Sequence, residues 1–116
     1  MNLACEIEGH PDNVAPAIYG GIQLGIYAGG RWNTERVNSP PGMQCVCFIP
    51  DTIGKTSTAR GVLSDQISRK EAVFNIGRMA WLINALANNN FDQLKYGTQD
   101  MLHQPQRGSK VSAFIA

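Results

Sequence analysis

The chain has 116 residues, 43% of them apolar, and its ten Lys and Arg against nine Asp and Glu give a formal charge of +1. That size allows one modest core, belonging to one domain or to pieces of two, and so even a charge gives no electrostatic footprint for nucleic acid or a membrane surface. No apolar run approaches the roughly 20 residues that cross a bilayer, residues 1–9 carry no basic leader, and an odd number of cysteines fits a reducing compartment.

Residues 1–8 read as the last turns of an amphipathic helix with nothing before them to start one, so the protein is expected to begin earlier. Gly9-His10-Pro11-Asp12-Asn13 marks a turn, and residues 14–19 a short helix entered at Asp12 or Asn13. Gly20-Gly21 opens a strand over residues 22–27 and Gly29-Gly30 closes it; Ile22, Leu24 and Ile26 share one face at a period of two, which predicts a half-buried strand. Residues 31–43 have the composition of a loop or linker.

A second strand is expected over residues 44–49, with Cys45 and Cys47 on one side as small hydrophobes. Thr56, Ser57 and Thr58 offer caps for a short helix over residues 60–63, and Ser68 with Glu71 has the spacing of a capping box. From Ser68 to about Leu86, the residues Ala72, Val73, Ile76, Met79, Ala80, Ile83 and Ala87 recur at steps of three and four; the pattern predicts a helix whose stripe faces a sheet or another helix. Asn88-Asn89-Asn90 ends it, and residues 91–102 repeat the helical pattern before Pro105. The fold class is α+β, with a sheet too small to cover so much helix by itself.

Gly54-Lys55-Thr56 is a decoy, because a phosphate-binding loop needs glycine five positions before Gly54 and Ile49 stands there. Cys45-Val46-Cys47 is too closely spaced for a zinc hairpin, His10 and His103 lie in distant segments, and no metal site is expected. The turn at His10, Asp12 and Asn13 gathers an imidazole, a carboxylate and a carboxamide at a helix start. Such a set can grip a polar substrate or hydrogen-bond a hydroxyl about to attack phosphorus; its plain alternative is an ordinary N-cap turn.

His10-Pro11-Asp12-Asn13-Val14-Ala15-Pro16-Ala17, followed by Ile18-Tyr19-Gly20-Gly21, resembles the segment after the phosphate-loop helix of homoserine kinases, members of the GHMP small-molecule kinase superfamily. Three further stretches are similar to family motifs in the same order. They are Pro50-Asp51 with Ser57-Thr58-Ala59-Arg60-Gly61-Val62-Leu63, the run from Ser68-Arg69-Lys70-Glu71 to Asn75, and Leu102-His103-Gln104-Pro105-Gln106-Arg107, the last with Gln106 in place of an aromatic residue. The resemblance implies a partial GHMP kinase fold. Residues 1–42 would end the ATP-binding domain, which is ribosomal protein S5 domain 2-like, and residues 43–116 would form a ferredoxin-like carboxy-terminal domain, truncated at its end.

It also implies ATP- and Mg²⁺-dependent phosphorylation of the L-homoserine hydroxyl to O-phospho-L-homoserine, a step toward threonine. Carried over by position, Asp12 and Asn13 contact the amino group or hydroxyl, His10 lines the same pocket, Arg60 and Arg107 bind the carboxylate, and Asp12 is the nearest candidate for a general base. A planar guanidinium fork suits a carboxylate and Asp12 suits an ammonium, so an amino acid would be held at both ends. The family's glycine-rich phosphate loop is absent from these residues; the ATP and Mg²⁺ sites are expected elsewhere in the enzyme, and the chain alone is expected to be inactive. The expected partners are L-homoserine and ATP, with no nucleic acid and no membrane. A homodimer of the full-length enzyme stays open, and the expected location is the cytoplasm, or the plastid stroma in a photosynthetic eukaryote. Two rivals stand beside this reading: a GHMP kinase for another alcohol, and a non-catalytic module that keeps only an amino-acid pocket.

Overall fold

The computed structural model describes residues 1–47, 49 and 63–108. Arg60, the helix expected over residues 60–63, the Gly54-Lys55-Thr56 triplet and the tail beyond Gly108 lie outside the described residues. Contacts divide the chain into two units, residues 1–43 with 86–89 and residues 44–85 with 90–116. Among the described residues no helix is long and apolar enough to cross a membrane.

In the first unit, α1 (Asn2–Glu8) ends where Gly9 enters the left-handed region at φ 86°, and the Gly9 N–H donates to the Cys5 carbonyl at 2.7 Å. Cys5 is fully buried. Helix α2 (Val14–Tyr19) follows the turn and closes at Gly20, whose N–H donates to the Pro16 carbonyl at 2.8 Å.

Strands β1 (Ile22–Ala28) and β2 (Arg31–Val37) form an antiparallel hairpin with Ile22 opposite Val37 and Ala28 opposite Arg31. Residues 31–37 are therefore strand rather than linker. Gly29 and Gly30 have φ of 62° and 73°, which gives the two-residue turn whose twist matches paired strands, and the same glycine pair that closes β1 starts β2. Tyr27 and Trp32, directly opposed, meet edge to face at 5.2 Å between centroids. The Trp32 N–H donates to Asn2 Oδ1 at 2.8 Å, tying β2 to the start of α1.

The period-two pattern of β1 is correct, but its burial is not. Leu24 and Ile26 are 39% and 63% exposed. The opposite face, carrying Gln23, Gly25 and Tyr27, is the one approached by Pro11; a Cβ added to Gly25 would stand 2.5 Å from Pro11 Cγ. Glycine at this position lets the turn close on the strand, although Tyr27 on the same face is itself 62% exposed.

Helix α3 (Arg69–Ala87), which lies in the second unit up to Ala85, starts with the expected capping box: the Ser68 N–H donates to Glu71 Oε2 at 2.7 Å and the Glu71 N–H to Ser68 Oγ at 3.2 Å. These bonds hold the Glu71 carboxyl below the usual carboxylate range, chiefly through the Ser68 side chain. The helix ends in a Schellman motif, with Asn89 at φ 55°, its N–H on the Leu86 carbonyl at 3.3 Å and the Asn90 N–H on the Ala85 carbonyl at 2.9 Å. Val73, Ile76 and Met79 of the apolar stripe are exposed, whereas Ala85 and Leu86 are buried. The helix itself is as expected; the covering of its stripe is not seen among the described residues.

Residues 91–102 are not one helix. A 3₁₀ turn (Phe91–Gln93) runs into the short α4 (Leu94–Gly97), and the chain then loops until residues 104–108 turn helical again. Gly97 sits so close to α3 that an added Cβ would lie 2.8 Å from Leu82 Cα. The Trp81 indole N–H adds a bond to Gln93 Oε1 at 3.1 Å. Residues 44–47 belong to no strand among the described residues, and Cys45 and Cys47 are exposed rather than packed. A strand needs a neighbour for its backbone groups, and the described sheet contains β1 and β2 alone.

Candidate functional site

His10, Asp12 and Asn13 come together on the turn between α1 and α2. His10 Nδ1 pairs with Asp12 Oδ1, and its Nε2 lies 3.8 Å from Glu8 Oε1. The imidazole is thus flanked by two carboxylates. The Asn13 N–H also donates to Asp12 Oδ1, at 2.8 Å. Among the described residues both contacts fall on Oδ1, and the Asp12 side chain is 70% exposed, so Oδ2 is available to a ligand.

The ordinary capping role is not filled here. Asn13 occupies the N-cap of α2, yet among the described residues no side chain makes a cap hydrogen bond there. The turn is instead held from outside, by Pro11 against Gly25 and by Arg36 beyond the far end of α2. Arg36 Nη2 donates to the Tyr19 carbonyl, and to the Gly20 carbonyl at 3.3 Å. A cation on these last carbonyls opposes the helix dipole and satisfies acceptors that α2 cannot.

Tyr19, Gln23, Thr34 and Arg36 line a surface cleft of about 400 Å³. Its polar groups largely bond one another: Gln23 Nε2 donates to the Gly20 carbonyl at 2.7 Å, and Thr34 Oγ1 to Gln23 Oε1 at 2.9 Å. This is a brace under α2.

Arg107 belongs to the second unit. It lies in helical residues 104–108, is half-buried, and donates its N–H to the His103 carbonyl at 2.9 Å. Its Nε is buried with no hydrogen-bond partner among the described residues. Gln106, the departure from the motif, uses Oε1 to accept the Ser64 N–H at 2.8 Å. Just upstream, Asp100 accepts hydrogen bonds from Asn75 Nδ2 at 2.6 Å and from the N–H groups of Leu102, His103 and Gln104 at 3.1, 2.6 and 2.6 Å. Burial pushes the Asp100 carboxyl up, but these four donors outweigh it and hold the group well below the usual carboxylate range.

Four residues of this scaffold escaped sequence reasoning. Gly25 carried a usable signal, since a lone glycine within a strand marks close backbone approach. Asp100, four residues before helical residues 104–108, had the look of a cap. Arg36 and Asn75 act across long sequence separations and carried none. Among the described residues no group of three His, Cys, Asp or Glu side chains could hold a metal ion.

No family model matches the chain. It is 44% identical over 111 residues to the homoserine kinase of Desulfitobacterium hafniense, covering 96% of this chain and 37% of the relative. Identity to the homoserine kinase of Clostridium botulinum (strain Loch Maree / Type A3) is 40% over 116 residues, covering the whole chain and 39% of that relative. The Synechocystis homoserine kinase is 39% identical over 114 residues, or 98% of this chain and 37% of its own length. The chain therefore spans 37% to 39% of the curated relatives it matches. A crystal structure of homoserine kinase from Cytophaga hutchinsonii superposes with a TM-score of 0.73 and 26% identity, covering 86% of this chain and 31% of that one.

Proposed function

We propose, for a chain that belongs to the homoserine kinase family, that it supplies the amino-acid-binding portion of an enzyme phosphorylating the L-homoserine hydroxyl with ATP. The observation that carries this reading is Asp12: an exposed carboxylate on an externally braced turn, beside an imidazole and relieved of capping duty. Asp12 and Asn13 hold the amino group or hydroxyl, His10 fixes the Asp12 carboxylate and lines the pocket, and Arg60 and Arg107 pair with the substrate carboxylate. Gripping both ends of the amino acid presents its hydroxyl to the γ-phosphate, and rate comes from positioning and charge stabilisation. Asp12, the carboxylate nearest that hydroxyl, takes its proton.

In this reading residues 1–42 end the ATP-binding domain and residues 43–116 belong to the ferredoxin-like carboxy-terminal domain. ATP is the phosphoryl donor and Mg²⁺ its metal cofactor; among the described residues no group of three His, Cys, Asp or Glu side chains could hold the ion, which is assigned to the rest of the enzyme. Free thiols at Cys5, Cys45 and Cys47 suit the reducing cytoplasm or stroma.

The test is phosphoryl transfer by the complete gene product with homoserine, mevalonate and galactose as acceptors. Homoserine should be strongly preferred. In the same protein Arg107→Ala should raise KM for homoserine on the order of a hundredfold, with KM for ATP changing far less. Equal effects on both constants would remove the carboxylate clamp, and preference for a neutral alcohol would remove the reading as a whole.

A further inference from the structure

Arg107 can select a carboxylate only if its stem is aimed, and the helical turn that carries it is too short to be rigid by itself. What holds that turn is a closed set of polar contacts upstream. Asp100 takes the Asn75 amide and the Leu102 N–H on Oδ1, and the N–H groups of His103 and Gln104 on Oδ2. Asn75 replies with its own Oδ1, which accepts the Met101 N–H at 2.9 Å. Gln104 closes the loop, its Oε1 accepting the Asp100 N–H at 3.2 Å and its Nε2 donating to the Thr98 carbonyl at 3.0 Å.

Pro105 has no N–H to satisfy, so the loop carboxylate meets the donors that open the turn. The Arg107 N–H then makes its bond to the His103 carbonyl. Asn75 lies on α3, a nineteen-residue helix fixed by caps at both ends, and the bond to Asp100 transmits that rigidity to the loop. The Asp100 side chain is only 18% exposed and both its oxygens are engaged, so it is not available as a ligand group itself.

We infer that Asn75 and Asp100 are positioning residues for substrate recognition: the pair aims Arg107 at the substrate carboxylate by fixing the start of its helical turn against α3. The inference rests on the proposed role of Arg107.

A double-mutant cycle in the complete gene product tests it, with homoserine and ATP as the titrated substrates. Asp100→Ala should raise KM for homoserine on the order of tenfold while leaving KM for ATP and kcat nearly unchanged. Asp100→Asn, which keeps a capping acceptor but gives up one oxygen, should recover part of that loss. In an Arg107→Ala background, Asp100→Ala should add almost nothing, because the aimed group is gone. If Asp100→Ala does not fold, as judged by circular dichroism, the cycle is run with Asn75→Ala, which leaves the backbone cap in place. Additive losses, or equal changes in the two KM values, overturn the positioning role while leaving Arg107 as a substrate group. An Arg107→Ala variant with an unchanged KM for homoserine overturns both.

Discussion

The turn at His10–Asn13 and the loop at residues 98–104 both place a carboxylate just ahead of a helical turn, and they use it in opposite ways. Asp100 is 18% exposed, has donors on both oxygens, and is held ionised by them. Asp12 is 70% exposed, has both of its contacts among the described residues on one oxygen, and leaves its helix to be braced by Gly25 and Arg36. A carboxylate whose acceptors are all filled by its own chain builds structure. One whose neighbourhood is built by other groups is free to meet a ligand.

The largest effect that can break this contrast is on turnover. Asp12→Asn keeps the size and the Oδ1 acceptor of the side chain, so the turn should fold unchanged by circular dichroism. Loss of the charge should nevertheless lower kcat in the complete gene product by about 10² or more, within the range of general acid–base contributions. An unchanged kcat would leave residues 10–13 as a purely structural turn.

A smaller effect sharpens the claim that the turn is braced from outside. A methyl group at Gly25 would stand 2.5 and 2.9 Å from Pro11 Cγ and Cβ, closer than packing allows. Gly25→Ala should cost about 1–3 kcal/mol of stability in a thermal melt, as overpacking does. It should also raise KM for homoserine by moving His10 and Asp12 away together. Gly29→Ala is the control: it meets no neighbour within 4 Å but sits at φ 62°, so it should destabilise the hairpin without a KM effect.

How much of this was legible follows from how local each cause is. The Ser68 and Glu71 cap, the end of α3 at its three asparagines, α2 and the boundaries of β1 are set within a few residues, and each was readable. Strand β2 was missed because Asn33 and the neighbouring prolines suggested a loop, although Gly29-Gly30 already carried the hairpin signal. The Asn33 side chain in fact caps that turn, donating to the Ala28 and Arg31 carbonyls at 2.9 and 3.1 Å. The break at Gly97 and the approach of Pro11 to β1 at Gly25 are contacts between elements that no periodicity records. The site divides the same way. The chemistry of His10, Asp12 and Asn13 was visible in the string, whereas the groups that hold it in place, Gly25 and Arg36, became identifiable only in three dimensions.

The smallest expected effect concerns acid, and it isolates the Asp100 half of the comparison. Because the folded carboxyl lies below the unfolded value of about 3.9, its contribution to stability is complete above that value and is lost as pH falls through the folded one. His103 Nδ1, 3.6 Å from Asp100 Oδ1, adds attraction of the same sign when its ring is charged. Hydrogen exchange at the Leu102, His103 and Gln104 amides, corrected for intrinsic rates and referred to amides within α3, should therefore show little loss of protection between pH 7 and about 4. Loss should begin only in stronger acid. If these amides open near pH 5 while α3 stays protected, Asp100 is not the acceptor that holds them, and the loop must be braced by the Gln104 contacts and by Asn75 on the Met101 N–H.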